Sequence, residues 1–521
     1  MSKEAEAAVV AYEALVEGDV DAASSWLREG TPSADPEVRA WRLALEGCLA
    51  MTAGGGEVPP IATLVDAPRD AGAILGHALE WHSLAALVAF DPEAMRAAAA
   101  LAESVYAEDD PRRRVARAER LLADGELEAT RAALAPLRSD DEVAASAPAV
   151  RALCVDAIAA CGLGAIDDAT LAARTASRRA RILRQRAYRY LAGLCLAHAR
   201  RRSGRPHLAV RILSALEPII PDAYRGWLVL EQIATGHVRP DPVEPTSCVA
   251  SELAIAAAAL VRAAARSDRS AFDDAAQRLE APVFVAAETL QVLPSLLDPM
   301  REDVPPDAHD FLFGRDPRIP RGLELLAAGL DVASWPVAVH RPAHGPPRRV
   351  VSAGLGLAAD ELALVPASRL RQGRTDVAAA VLALCPASMS EDAFFRETFG
   401  MRFVPPIHES VLAMTLSRVR KKLDGVAEVA RGQGEVRLVP QRPFAVSDPR
   451  CAPPPEGAVL RLVAQQGRIT ARGAAKTLGV SLRTVQSAVR QLVSDGELEL
   501  DRAGRSIAYR VDDTSFTSPA V

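Results

Sequence analysis

Residues 456–511 read EGAVLRLVAQQGRITARGAAKTLGVSLRTVQSAVRQLVSDGELELDRAGRSIAYRV, and their spacing carries the clearest local instructions in the chain. A first helix is expected over 456–465, ended by Gln466 and Gly467. Thr470 is placed to cap a second helix whose apolar face holds Ala474, Ala475 and Leu478. Gly479 supplies the backbone turn, and Ser481 then caps a third helix that buries Val485, Ala488, Val489 and Leu492 at helical spacing. The spacing of Ala475, Gly479 and Val485 suits two crossing helices. A small residue admits the second helix, glycine makes the turn, and a β-branched residue locks the pair. After Asp495-Gly496, two alternating segments, LELD and SIAYRV, flank the turn Arg502-Ala503-Gly504-Arg505 and read as a hairpin.

Three helices followed by a hairpin resemble the winged helix-turn-helix DNA-binding domains. The resemblance implies that the third helix is a recognition helix, with Ser481, Leu482, Arg483, Thr484, Gln486, Ser487 and Arg490 available at the groove. Arginine and glutamine can pair with base edges, while serine and threonine hold phosphates. Arg502 and Arg505, at the tip of the wing, suit backbone or minor-groove contact. The alternative is a module that packs only against protein.

Working outward, SDPRCAPPPEG (447–457) breaks the pattern, and its three consecutive prolines make 447–455 a stiff linker. Before it, PVAVH (336–340) and RRVVSA (348–353) flank a turn, RPAHGPP, and read as a hairpin. MSEDAFFRETFGMRF (389–403) reads as a helix with aromatic anchors, and HESVLAMTLSRVRKKLDG (408–425) as a long basic helix. On the latter, Val411, Leu412, Leu416, Val419 and Leu423 face a core, leaving Thr415, Arg418, Lys421 and Lys422 exposed. EVARGQGEVRLVPQRPFAV (428–446) is a strand, a glycine turn and a strand. TLSRVRKKL followed by RGQG resembles the OmpR/PhoB-type winged helix. That resemblance implies a second DNA-binding domain over 336–446, in which Thr415 and Arg418 enter the groove and Arg431 on the wing reaches phosphates. Glu435 stands where such wings carry an aromatic. The N-terminal half is helical throughout, so no phospho-acceptor aspartate of a receiver domain is assigned.

Residues 301–322, rich in proline and charge, mark the main boundary, and 301–335 reads as a linker. Up to residue 300 the chain reads as short amphipathic helices. One signature recurs, an apolar pair, a Gly or Asp turn, an acidic residue, then alanine, in ALVEGDVDAASSWL (14–27), LVAFDPEAMRAAAAL (87–101), LLADGELEATRAAL (121–134) and GAIDDATLAA (164–173). RSGRPHLAVRIL (202–213) and SDRSAFDDAAQRL (267–279) continue it. The small residue after each turn falls at Ala94, Ala129, Ala169 and Ala209, a period that resembles tetratricopeptide-type repeats. The expected fold is therefore mainly α: an N-terminal α-α helical-repeat solenoid over 1–300, then two small α+β winged-helix domains, 336–446 and 456–515, with a flexible tail at 516–521.

Charge divides the same way. From Val411 onward there are 17 Lys+Arg against 11 Asp+Glu, whereas 1–410 holds 44 against 56, so an acidic body carries a basic C-terminal end. Residues 174–205 contain eleven arginines and no acid, and Arg174, Arg178 and Arg181 share one helical face. Two readings stay open for that face: an anion- or partner-binding surface, or a solvated face paired with acidic neighbours elsewhere in the repeats. The seven cysteines are scattered without a CxxC pair, and Cys195 and His198 lack a second ligand pair, so no metal site or disulfide framework is indicated. No catalytic motif or cofactor fingerprint occurs, and an enzyme is not expected. The acidic N-terminus has no signal-type core and no span suits a membrane, which makes a cytoplasmic location the expectation.

The function expected from these observations is a DNA-binding transcriptional regulator with a protein-interaction or sensing domain. The expected partners are double-stranded DNA and a protein or peptide on the repeats, with a homodimer left open and no membrane. The rivals are an interaction scaffold whose winged helices mediate assembly, and RNA binding through the arginine-rich face.

Overall fold

The computed structural model describes residues 3–17, 19–29, 35–54, 58–65, 72–139, 146–203, 205–235, 249–266, 268–279, 324–326, 337–345, 347–352, 363–365, 373–451, 454–503 and 506–511. The chain is mainly helical, and among the described residues its small sheets lie in the C-terminal part.

All six signature stretches fall where one helix turns into the next. Lys3–Glu17 pairs with Val20–Glu29, Gly72–Val88 with Pro92–Val105, and Pro111–Ala123 with Leu127–Ser139. Ala147–Gly162 pairs with Ile166–Ile182, Arg186–Arg202 with Pro206–Leu216, and Val249–Arg266 with Arg269–Arg278. The first helices of the four central pairs also touch one another in series, so the pairs stack. Turn chemistry explains the recurring Gly and Asp. Asp91 and Asp268 accept hydrogen bonds from the Ala94 and Ala271 amides at 2.9 and 3.1 Å, capping the second helix of their pairs. Gly125 and Gly164 take φ values of 78° and 74°, which side-chain-bearing residues adopt only at a cost. Ala169 and Ala209 are fully buried and Ala94 and Ala129 half-buried, as close helix crossings require.

An alanine-rich core runs continuously from Ala5 to Leu279. It encloses ion pairs. Arg151 donates to Glu119 at 2.6 and 2.5 Å, and Arg201 to Glu231 at 2.8 Å; all four side chains are buried. Cys195 and His198 have partners inside this core. The Cys195 thiol points to the Cys154 carbonyl, and His198 Nδ1 lies 2.7 Å from Glu231. No group of potential metal ligands occurs among the described residues, nor any helix long and apolar enough to cross a membrane.

A second core spans Val339 to Val446. It lies under a mixed five-stranded sheet of order β1-β3-β2-β8-β4, built from β1 (Glu324–Leu326), β2 (Val337–Arg341), β3 (Arg348–Ser352), β4 (Ala363–Val365) and β8 (Phe444–Ser447). The expected hairpin pairs β2 with β3 antiparallel, Val339 opposite Arg349. β1 falls inside the segment read from sequence as the 301–335 linker, and it runs parallel to β3 as the edge strand. Three residues are too few to show alternation, so the sequence held no signal for it. Helices Arg374–Leu384, Glu391–Phe399 and Pro405–Lys422 follow, then the hairpin of β6 (Ala427–Gly432) and β7 (Glu435–Pro440), to which β5 (Ser388–Ser390) adds a third strand. Gln433 and Gly434 close the hairpin with φ of 55° and 77°, the positive pair that a two-residue turn between right-twisted strands demands.

The third core joins Ala458 to Val511. Helices Pro455–Gln466, Ala471–Leu478 and Leu482–Ser494 precede the hairpin of β10 (Glu499–Ala503) and β11 (Ser506–Arg510), and β9 (Arg468–Thr470) pairs antiparallel with β11.

Candidate nucleic-acid interface

Local chemistry sets the third helix of the C-terminal segment. Thr470 Oγ1 accepts from the Gly473 amide at 3.0 Å and caps the second helix, Ala471–Leu478, Gly479 ends that second helix at φ 64°, and Ser481 Oγ accepts from the Thr484 amide at 3.1 Å to cap the third. Val485, Ala488, Val489 and Leu492 then fill the core. The opposite face is open to solvent. Leu482, Arg483, Gln486, Ser487 and Arg490 are exposed and Thr484 is half-buried. The hydroxyls of Ser481 and Thr484 lie 2.7 Å apart and serve the helix cap, so they are less available to a ligand than their neighbours. Arg483 makes no ion pair among the described residues. Sequence reading did not single out Arg472 and Lys476, which are exposed on Ala471–Leu478 beside this face. Between Ala471 and Ser494 there are four basic residues and no acidic one, a signal that was available in the sequence. The side chain of Arg502, and Arg505 altogether, lie outside the described residues.

The helix Pro405–Lys422 carries a smaller free set than expected. Arg418 and Lys421 are exposed, next to exposed Ser410, Met414 and Ser417. Thr415, expected at the surface, is buried, and its hydroxyl donates to the Val411 carbonyl of its own helix at 2.7 Å. It lies one residue before the core position Leu416, close enough to the apolar stripe to be drawn in. Lys422 is also withdrawn, because its ammonium lies 2.7 Å from the buried carboxylate of Asp376. Arg431 is not a free wing arginine. It donates to Glu391 at 2.6 Å and to Glu409 at 2.7 and 3.0 Å, tying the hairpin to the two preceding helices. Those two carboxylates raise its already high pKa further. Glu435 accepts from Ser388 Oγ at 2.7 Å, which closes the third strand onto the hairpin.

The arginine-rich stretch draws its partners from two places. Arg201 pairs with Glu231 among the N-terminal helices, and Arg174, Arg178, Arg200 and Arg205 meet the C-terminal segment. Arg174 donates to the Gly496 carbonyl, and Arg178 lies 3.7 Å from Glu499. Arg200 and Arg205 close on the Glu497 carboxylate at 2.8 and 2.6 Å. Burial alone would raise the Glu497 pKa, but the guanidinium groups of Arg200, Arg205 and Arg174 overcome it and hold the carboxyl down to about 2. Arg181 is half-buried. Nearby, Arg211 donates to the Ala464 carbonyl at 2.8 Å at the end of Pro455–Gln466, and Leu208 is fully buried within the third core.

No family model matches the chain, and neither a curated protein nor a solved structure does.

Proposed function

We propose that the chain is a DNA-binding transcriptional regulator in which a tetratricopeptide-like solenoid carries two consecutive winged helices, the first of OmpR/PhoB type. The observation that carries this reading is the outward face of Leu482–Ser494, where Arg483, Gln486 and Arg490 are exposed while the other face of the same helix is fully packed. These side chains have the donors and acceptors that read base edges in the major groove, and Arg472 and Lys476 add cations for the flanking phosphates. Arg418 and Lys421 supply the equivalent set on the first module. The stacked helix pairs would then offer a surface for a protein or peptide signal.

The test is binding of the full chain to random duplex DNA at two salt concentrations, followed by selection. Affinity should fall steeply with salt through counterion release, and a sequence motif should emerge. Salt-insensitive binding, or binding that survives replacement of Arg483 and Arg418 together, sinks the reading.

A second reading, an assembly scaffold, is favoured by a different observation: the module 454–511 is already engaged with protein through Glu497, and Lys422 and Arg431 are spent on internal carboxylates. Loss of DNA binding in a folded full chain would leave that reading standing.

A further inference from the structure

Among the described residues, contacts from Arg174, Arg178, Arg200, Arg205 and Arg211 join the N-terminal helices to the C-terminal module and lie on one side of that module. They come from the end of Pro455–Gln466, from the turn Gly496-Glu497 after the third helix, and from Glu499. None comes from the exposed residues Arg483, Gln486, Ser487 or Arg490. Arg483 lies in the first turn of Leu482–Ser494 and Gly496 just beyond its last, so at 1.5 Å per residue the two are about 20 Å apart along the helix, and Arg490 is about 9 Å from Gly496. The dock combines apolar and ionic parts. Leu208 inserts into the module's own core, and the arginines of Ile166–Ile182 and Arg186–Arg202 surround Glu497, whose side chain keeps only 12% of its exposure. Gly467 lies flat against the Arg211 guanidinium, where an added Cβ would come within 3.3 Å. No acidic residue occurs within 174–205 itself, and Glu497 and Glu499 meet Arg200, Arg205 and Arg178 from the other end of the chain.

We propose that Ile166–Ile182, Arg186–Arg202 and Pro206–Leu216 form an intramolecular receptor that holds segment 454–511 with its reading face outward, and that this docked arrangement is the one that binds duplex DNA. The second half rests on the DNA-binding function proposed above. The repeats thereby act as a rigid mount, and a duplex fits on the module without dislodging it.

Amide hydrogen exchange on the full chain tests both halves. Saturating duplex should leave exchange in Pro206–Leu216 and Pro455–Gln466 unchanged, whereas acceleration there by about tenfold or more would mean that the dock must open for DNA and would overturn the proposal. Glu497→Arg, which sets a cation against Arg200 and Arg205, should accelerate exchange in both helices by about tenfold or more, and adding Arg205→Glu should restore protection. Unaltered exchange in Glu497→Arg would overturn the receptor. DNA affinity of Glu497→Arg should fall by about tenfold or more; an unchanged affinity would show that the docked arrangement is not the one that binds, and a rise would identify an inhibitory dock. A wild-type chain that binds no duplex defeats the DNA reading and the competence of the docked state with it, while the exchange behaviour of Glu497→Arg still decides the receptor.

Discussion

The Glu497 carboxylate lies 2.8 Å from the guanidinium of Arg200, a side chain with no solvent exposure, although the two residues are 297 positions apart. Burying a charge of this kind is costly unless a partner meets it, and Glu497 supplies one, so the C-terminal module completes this surface electrostatically as well as by packing.

That pairing makes the dock acid-sensitive. Glu497 has its pKa depressed from 4.5 to about 2, so its stabilisation is fully present above the ordinary carboxyl range and is lost as pH falls from there through about 2. A loss on the order of 3 kcal/mol is expected across that window. Exchange in Pro206–Leu216 measured against pH checks it, and Glu497→Gln should flatten the dependence.

Substitutions on the proposed DNA-binding face should separate binding from folding. Arg483→Ala and Gln486→Ala are each expected to cost about 1–3 kcal/mol of affinity for the selected duplex and to relax specificity at one position. Both side chains are exposed, so thermal unfolding should move by no more than about 0.5 kcal/mol. Equal losses of binding and stability would place them in the fold instead.

On the first module, two adjacent expectations now diverge. Arg418→Ala should weaken DNA binding and reduce the salt slope by about 1, as loss of one phosphate contact does. Thr415→Val should leave affinity within about 0.5 kcal/mol, because the Thr415 hydroxyl is turned to the Val411 carbonyl and away from solvent. Titrations of both variants at two salt concentrations distinguish them.

Within the repeats, Glu119→Ala should be strongly destabilising. Arg151 is buried and donates to both Glu119 oxygens as well as to the Glu80 carbonyl, so removing the carboxylate strands a charge at a cost of about 3–5 kcal/mol. The denaturation midpoint of the full chain reads this directly. A loss below about 1 kcal/mol would show that water or another acid takes over the role.

Much of the local structure was legible from residue type alone. Thr470, Gly479 and Ser481 act as the cap, turn and cap their identities suggest, and Leu412, Leu416, Val419 and Leu423 occupy the core face that the period assigns. The signature stretches mark helix-pair turns because Asp can cap the helix that follows and Gly can take the positive φ of the reversal. Short strands escaped notice. β1 and β9 have three residues each, and each takes its place from a partner strand rather than from its own pattern.

The sequence by itself determined the helices, their caps, the hairpin turns and the outward set Arg483, Gln486 and Arg490, since each follows from interactions within a few residues. Only the tertiary structure decided which cations remain available. Lys422 and Arg431 are taken by Asp376, Glu391 and Glu409, Arg201 by Glu231, and Arg174, Arg178, Arg200 and Arg205 by Gly496, Glu499 and Glu497. The physical reason is that a charge is neutralised by whatever lies within a few ångströms of it in space, and periodicity along one helix holds no information about what another segment brings there.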